Sequence, residues 1–440
     1  MSYSLENTAQ FAIDLLKKYD ITDYEIFLSS SSGVSTAIRL GKIETLEHHL
    51  DKMFDINVYM GNKKGHASSV DLNKQGIGKT IESACLIAKY TQEDLFNGLA
   101  PKELMAFNPP DLDLYYPWDL DPSHSVDLAK RCEATALEQK YIDSSDGAEL
   151  SSFQGKDLYI NSHGMMVAQQ GAKHSLHCSI IAKQGRDMQT AYEYTVALDN
   201  FDLESPEVVG KKAANLAVNK LASRSLESRK CPVIFTSRLS GELFSQLMGA
   251  LNGARQYKKS TFLLDSIDQL VMPSSISLLE KPLVKKTIGS KAFDQDGVLK
   301  KQQYFVKSGQ VQSYIMGQYS ANQLGLKTTA NAGGVNNVMI EHKFKGGLDE
   351  VIKNMHQGLV VTELMGQGVN NTTGDYSRGA LGFWVDNGKI QYPVSGITIA
   401  GNLKEMLLGI EYIGSDIDYR NNIKVGSVLI QQMTIAGEVQ

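Results

Sequence analysis

Histidines and acids are the residues with which a chain of this kind could do metal or proton chemistry, and their spacing decides whether they can. His174 and His177, in the string HSLHC, have the separation of a metal pair. The segment reads as a strand, however, where positions i and i+3 point to opposite faces, so the two rings diverge. His48 and His49 are adjacent on another strand-like run and diverge for the same reason. Glu341-His342 is the reverse of the metalloprotease order, and His66 and His356 are isolated. Gly76-Ile77-Gly78-Lys79-Thr80 looks like the end of a phosphate loop, but Asn73 stands where its first glycine belongs. A turn entering a helix explains that string better. There is no G-x-S-x-G elbow, and Gly366-x-Gly368 has no strand–helix context for a dinucleotide. No catalytic residue is assigned from these groups, and no metal site.

Two loops invite a different chemistry. Asn331-Ala332-Gly333-Gly334 and Gly374-Asp375-Tyr376-Ser377-Arg378 put small residues where a backbone can approach closely, with Asp375, Tyr376 and Arg378 adding directional polar contacts. They pack on each other and on a C-terminal sheet, or they border a groove for an extended peptide held by main-chain hydrogen bonds. Asn331, Gly333, Gly334, Gly374, Asp375, Tyr376 and Arg378 are therefore the substrate-groove candidates.

The elements that must position these groups follow from periodicity. Residues 6–19 carry Ala9, Phe11, Ala12, Leu15 and Leu16 at helical spacing. EIFLSS, GVSTAIRL, KIETLEHHL, FDINVYM and HASSV read as five strands, with turns at Gly41-Lys42 and Gly61-Asn62. A helix over 79–90 has Ala84, Leu86, Ile87 and Ala88 as its apolar set. Half of the ten prolines fall between Pro101 and Pro122, which predicts a long irregular surface connector. A helix over 125–139, a meander over 149–198 and a helix opened by Ser205-Pro206 follow. The polar run 223–230 marks a boundary, giving an N-terminal α+β domain over 1–225 with an antiparallel or mixed sheet. Residues 226–440 form a β-rich domain with a few helices. The blocks of helices and strands make the class α+β.

Composition narrows the function further. Hydrophobic residues are 42% and charged residues 21%, which is ordinary for a globular protein. A net charge of -5 argues against a nucleic-acid partner held by phosphate attraction. Cys85, Cys132, Cys178 and Cys231 are far apart, so neither a disulfide framework nor a thiolate metal site is expected. The first twenty residues have no signal-peptide pattern, and no apolar run is long enough to span a bilayer. The expectation is a cytoplasmic protein without a membrane partner.

The stretch 366–416 carries the most specific information. It reads as a shaped loop over 366–379, a hairpin turning at Asp386-Asn387-Gly388, a third strand over 396–399, and a helix capped by Asn402 with Glu405 as its capping-box partner. TGDYSRGALGFW, the YPV step and ITIAGNL closely resemble the C-terminal signature of the TldD/PmbA family, in its PmbA (TldE) branch. The likeness extends more weakly from about Glu25 to the C-terminus. In the TldD branch the helix matching that after Ser240 resembles H-E-x-x-x-H, two histidines holding zinc and a glutamate acting as base. Aligning LNGA with that branch's L-E-G-D puts Phe244, Ser245 and Gly249 at those three positions. None can ligate zinc or act as the base. The branch's further cysteine ligand has no counterpart, since 421–440 contain neither cysteine nor histidine. Asn336 stands where relatives are expected to have a histidine, which weakens a hydrogen-bonding role carried over to that loop.

The resemblance implies a non-catalytic, PmbA-like subunit that pairs with a TldD-like one. The pair encloses a chamber in which zinc, on the partner, cuts unfolded peptides such as peptide-antibiotic leaders or an antitoxin. This chain itself would then carry no cofactor. A homodimer stays open for the isolated chain. The alternatives are a self-sufficient peptidase with a reassigned site near His174 or Asp375, and a non-enzymatic regulator of a gyrase-related factor.

Overall fold

The computed structural model describes residues 4–437, so the last three positions of the cysteine-free C-terminal run lie outside the described residues. Helix α1 (Leu5–Leu16) starts at Ser4, whose hydroxyl accepts from the Asn7 N–H at 3.2 Å. It leads into strands β1 (Asp23–Arg39), β2 (Lys42–Met60) and β3 (Lys63–Ser69). The turns fall at Leu40-Gly41, one residue before the predicted Gly41-Lys42, and at Gly61-Asn62 as the sequence predicts, with positive φ at Leu40, Gly41 and Gly61. The five expected strands are, however, three. The serine-rich and histidine-rich middles of β1 and β2 look like breaks in the apolar alternation. Pairing holds them extended instead: β1 is matched to β2 on one edge and β4 on the other almost throughout.

Helix α2 (Lys74–Tyr90) begins five residues before its predicted start, because Asn73 caps it by accepting from the Gly76 N–H at 2.8 Å. The phosphate-loop look-alike is therefore the helix's own first turns. The buried stripe shifts with the start, to Ile77, Ile81, Ala84, Cys85 and Ala88, while Leu86 and Ile87 are exposed. The proline-rich connector is irregular apart from one tight turn, Lys102–Leu104. Most of it runs over the surface, as its prolines predict, with a few buried anchors. Met105, Ala106 and Leu112 are buried with Tyr159, Phe293 and Val298, so it fills the seam between the two halves of the chain.

Helix α3 (Pro122–Leu137), strands β4 (Ile142–Asn161), β5 (Met166–Gln184) and β6 (Asp187–Ala197), and helix α4 (Pro206–Val218) complete the N-terminal half. The six strands form one antiparallel sheet in the order β3-β2-β1-β4-β5-β6. One face buries Ile26, Leu28, Phe54, Ile56, Leu158 and Ile160 under α1 and α2, and Leu150, Leu176, Cys178 and Ile180 under α3 and α4. Tyr159 points from the opposite face toward the C-terminal half, where it packs with Phe293.

That half opens with β7 (Arg229–Phe235), α5 (Ser237–Ala250) and α6 (Gly253–Tyr257), followed by β8 (Ser277–Glu280), β9 (Gln303–Lys307), β10 (Gln310–Val311) and α7 (Gln318–Leu324). Then come β11 (Val338–Glu341), α8 (Leu348–Met355), β12 (Gly358–Met365), β13 (Asp375–Asp386) and β14 (Lys389–Asn402). Helix α9 (Leu403–Leu408), β15 (Ile410–Ile413), β16 (Ile423–Lys424) and β17 (Val428–Gly437) end it. One sheet runs β10-β9-β8-β11-β16. The other runs β14-β13-β12-β7-β17-β15, and an extra β14–β17 pairing closes β7, β12, β13, β14 and β17 into a ring.

Three expectations for 366–416 change here. The shaped loop ends at Gly374, because Asp375–Gly379 is already strand, paired to Asn402–Thr398. The second and third predicted strands are the single β14. Asn402 caps α9 by accepting from the Lys404 N–H at 3.1 Å, and no bond from Glu405 closes a capping box among the described residues.

Candidate functional site

On α5 the helical period sends Leu243, Phe244, Leu247 and Met248 inward, against Val233, Phe235, Val361 and Ile397 of the ring. Phe244 is fully buried, Ser245 is exposed and Gly249 is half-buried. One turn earlier Glu242 is bound to Arg378, which reaches over from β13 and is 7% exposed. Among the described residues the Arg378 Nε has no partner, and its neighbour Tyr376 packs edge-on to Phe235 at 6.3 Å. Burial pushes the Tyr376 hydroxyl well above the usual phenol range. This face of α5 thus carries a phenyl ring in the core, a hydroxymethyl in solvent, a residue without a side chain, and a glutamate engaged by a guanidinium. That donor set does not fit a tetrahedral zinc ion, which takes thiolates, imidazoles or free carboxylates.

The two glycine–asparagine loops have different neighbours, and no hydrogen bond joins them among the described residues. Gly374 sits at φ 84°, its carbonyl accepting from the Leu403 N–H at 2.7 Å. Asp375 accepts from the Thr373 hydroxyl at 2.6 Å and from Asn402 Nδ2 at 3.3 Å. This loop is pinned to α9. Asn331 is buried elsewhere, its Nδ2 donating to both Glu280 oxygens at 2.9 and 3.1 Å. Lys300 is buried beside it, donating to Glu280 at 3.2 Å and to the Ala330 carbonyl at 2.7 Å. Burial drives the lysine's pKa down, and the Glu280 carboxylate works against that.

Gly333 and Asn336 face the N-terminal sheet across a cavity of about 430 Å3 lined also by Glu25, Phe27, Asn57, Tyr159 and Asp294. Glu25, which no motif or spacing singles out, accepts from Tyr59 Oη at 2.8 Å and Tyr159 Oη at 2.9 Å. Burial, then the charge of Asp296, raises its pKa, although the tyrosine bonds pull the other way. Asp294 is pushed up to about 7 by burial and by Asp296, despite three main-chain N–H donors. Asp296 is itself raised by burial.

The histidines stay apart. His174 is buried, with Nδ1 2.9 Å from the Ser152 hydroxyl and Nε2 2.9 Å from the Tyr116 carbonyl, and burial lowers its pKa. His177 stacks near Tyr192 on the other face at 5.4 Å. His66 bonds Asp55 at 2.8 Å, and His342 stacks on Phe344. Among the described residues no three of histidine, cysteine, aspartate and glutamate converge as metal ligands, and the four cysteines are free and buried. Among the described residues no helix is long and apolar enough to cross a membrane.

This architecture, a helix-backed six-stranded sheet joined to a ring of strands against which α5 packs, defines a class. Models of the PmbA/TldA metallopeptidase family match in three parts: domain 1 over residues 24–88, the central domain over 115–221 and the C-terminal domain over 228–437. The chain belongs to this family, and within it to the PmbA branch. It is 44% identical to the metalloprotease PmbA of Escherichia coli O157:H7 over 417 residues, 94% of this chain and 92% of the relative. It is 40% identical to the PmbA homologue of Haemophilus influenzae, covering 98% of this chain and 96% of that one. A TldD homologue from Buchnera aphidicola is 22% identical. The fold also matches a candidate modulator of DNA gyrase from Bacteroides thetaiotaomicron, with TM-score 0.93, 25% identity and full coverage of both chains. TldE from Thermococcus kodakarensis has the same fold, with TM-score 0.83 and 20% identity over 98% of this chain and all of that one.

Proposed function

We propose that this chain is the non-catalytic, PmbA-like subunit of a two-component zinc peptidase acting on unfolded peptides. In this reading it walls the chamber, helps hold the substrate extended and stabilises a TldD-like partner that carries the zinc. The observation that carries the reading is the donor set on α5. Where the TldD branch resembles H-E-x-x-x-H, this chain offers Phe244, Ser245 and Gly249, and the nearby Glu242 is engaged by Arg378. No step of hydrolysis is assigned to its own side chains. Main-chain contact with substrate is the role proposed for the Gly333-Gly334 loop: open space lies where a Cβ of Gly334 would stand, whereas Gln295 fills that side of Gly333.

The test is zinc analysis and peptide cleavage with the purified chain, alone and with a TldD-like subunit. The expected result is cleavage only in the mixture, and no stoichiometric zinc on this chain alone. Stoichiometric zinc together with cleavage by the chain alone would overturn the reading.

A further inference from the structure

The helix-bearing face of the N-terminal sheet is covered in two places and open between them. Helices α1 and α2 bury Leu28 and Leu158, and α3 and α4 bury Leu150 and Leu176. On β4 the residues between Leu150 and Leu158 that share their face are Ser152, Gln154 and Lys156. A cavity of about 260 Å3 opens there, lined by Ser152 and Gln154 together with Leu50, Trp118 and Leu120. Leu50, at 81% exposure, offers an apolar side chain with no protein cover.

Beside Ser152, His174 fixes the direction of a proton. Its Nε2 is 2.9 Å from the Tyr116 carbonyl, which can only accept, so Nε2 carries the hydrogen. In the neutral ring Nδ1 is then an acceptor, and the Ser152 hydroxyl 2.9 Å away must donate to it. Burial lowers the pKa of the ring, against the pull of the Tyr116 carbonyl and Asp199, and so favours the neutral form. The serine proton is thus already bonded to a base, and a third group orients that base. Gln154 stands two residues further along the strand, ~7 Å away. Its amide oxygen is buried without a partner among the described residues, and its amide nitrogen donates to none of them. A purely structural serine–histidine pair needs neither the cavity nor an unused amide beside it.

We infer that Ser152 is a nucleophile for acyl transfer from a small ester with an apolar acyl group, with His174 as its base and the Gln154 amide as oxyanion donor. Leu50, Trp118 and Leu120 receive the acyl group. The Ser152 oxygen bonds to the carbonyl carbon, its proton passes to His174 Nδ1, and the carbonyl oxygen takes the displaced electron pair. Collapse breaks the bond to the alcohol, which leaves with that proton, and the acyl group stays on Ser152. Water repeats the sequence and releases the acid. This activity is separate from the cleavage of peptides, no step of which falls to these groups.

The experiment uses the purified full-length chain without a TldD-like subunit. A fluorophosphonate probe, from which a serine oxygen displaces fluoride, identifies the nucleophile by peptide mass spectrometry. Release of nitrophenolate from 4-nitrophenyl butyrate follows acyl transfer. The expected result is label on Ser152, lost in Ser152→Ala together with the ester cleavage. His174→Asn should slow labelling about 100-fold, the contribution of a general base. Gln154→Ala should slow ester cleavage about 100-fold, the loss of one oxyanion donor. Because the Gln154 side chain makes no hydrogen bond, that variant stays informative even if His174→Asn fails to fold. No label on Ser152 in the wild type, ester cleavage unchanged in Ser152→Ala, or a Gln154→Ala variant as fast as wild type would each overturn the inference.

Discussion

Glu25 is a carboxylate from the N-terminal sheet set close to two others, Asp294 and Asp296, from the C-terminal half. Its partners are Tyr59, Tyr159 and Asn57, with Asp296 the principal like charge and Lys64 the more distant cation. A carboxyl whose folded pKa lies above its unfolded value stabilises the fold while protonated. That contribution is complete below the unfolded pKa and is lost as pH rises through the folded one. For Asp294 the window runs from 3.8 up to about 7, and Glu25 shifts in the same direction. Stability should therefore fall as the medium is taken from about pH 5 to about pH 8, as these side chains are forced to ionise. Glu25→Gln removes one of the three charges while keeping a group that can bond both tyrosines. The expected result is a smaller loss between those two pH values, read by urea unfolding. An unchanged pH dependence would mean that Glu25 does not take part. No residue type or spacing flags this cluster, because its members come from opposite halves of the chain and meet only once the seam has formed.

Helix α5 shows what a sequence does reveal. Its stripe of Leu243, Phe244, Leu247 and Met248 follows from the 3.6-residue period alone, and all four are buried. If the family's metal face has become core packing, neighbouring positions should respond in opposite ways. Phe244→Ala should cost about 3–5 kcal/mol, the range for a large buried ring. Ser245→Glu, one residue on but in solvent, should change stability by less than about 0.5 kcal/mol. Chemical denaturation of both variants checks this, and comparable losses would mean that Ser245 is not free of the core. The cap at Ser205-Pro206 and the hairpin turns were legible for the same reason, since their signals are local. The fused strands β1 and β2 were not, because cross-strand pairing rather than apolar alternation keeps Ser29–Ser32 and His48–His49 extended. Nor was α8, eight residues long between glycines and too short for a periodic pattern. The connector over 101–122 reads as surface from its prolines, and most of it is exposed, yet Met105, Ala106 and Leu112 are buried in the seam.

Across the whole molecule the two halves are joined by polar contacts as well as by the apolar seam, Lys286 with Asp199 and Lys220 with Glu363 among them, and one carboxylate takes two arginines at once. Glu193 of β6 is 8% exposed and accepts from Arg420 Nη1 at 2.6 Å and from Arg238 Nη1 at 3.0 Å, both from the C-terminal half. Asp418 orients Arg420 with bonds of 2.9 and 2.8 Å, and the two guanidiniums lie over the rings of Tyr194 and Tyr192 at 4.4 and 5.1 Å. Removing the shared acceptor leaves Arg238 without its carboxylate and Arg420 with Asp418 alone, which is costlier than losing an exposed ion pair. Because the arginines keep some contact with water and Arg420 keeps Asp418, the cost falls between that of an exposed pair and that of a buried one, about 2–3 kcal/mol. The cost falls on the connection between the halves, whose own cores are untouched. Glu193→Ala should therefore lower the melting temperature and separate one calorimetric transition into two, the N-terminal sheet and the C-terminal ring unfolding independently. A single transition at the wild-type temperature would show that the apolar packing around Met105, Tyr159 and Phe293, with the Lys286–Asp199 and Lys220–Glu363 pairs, couples the halves without Glu193.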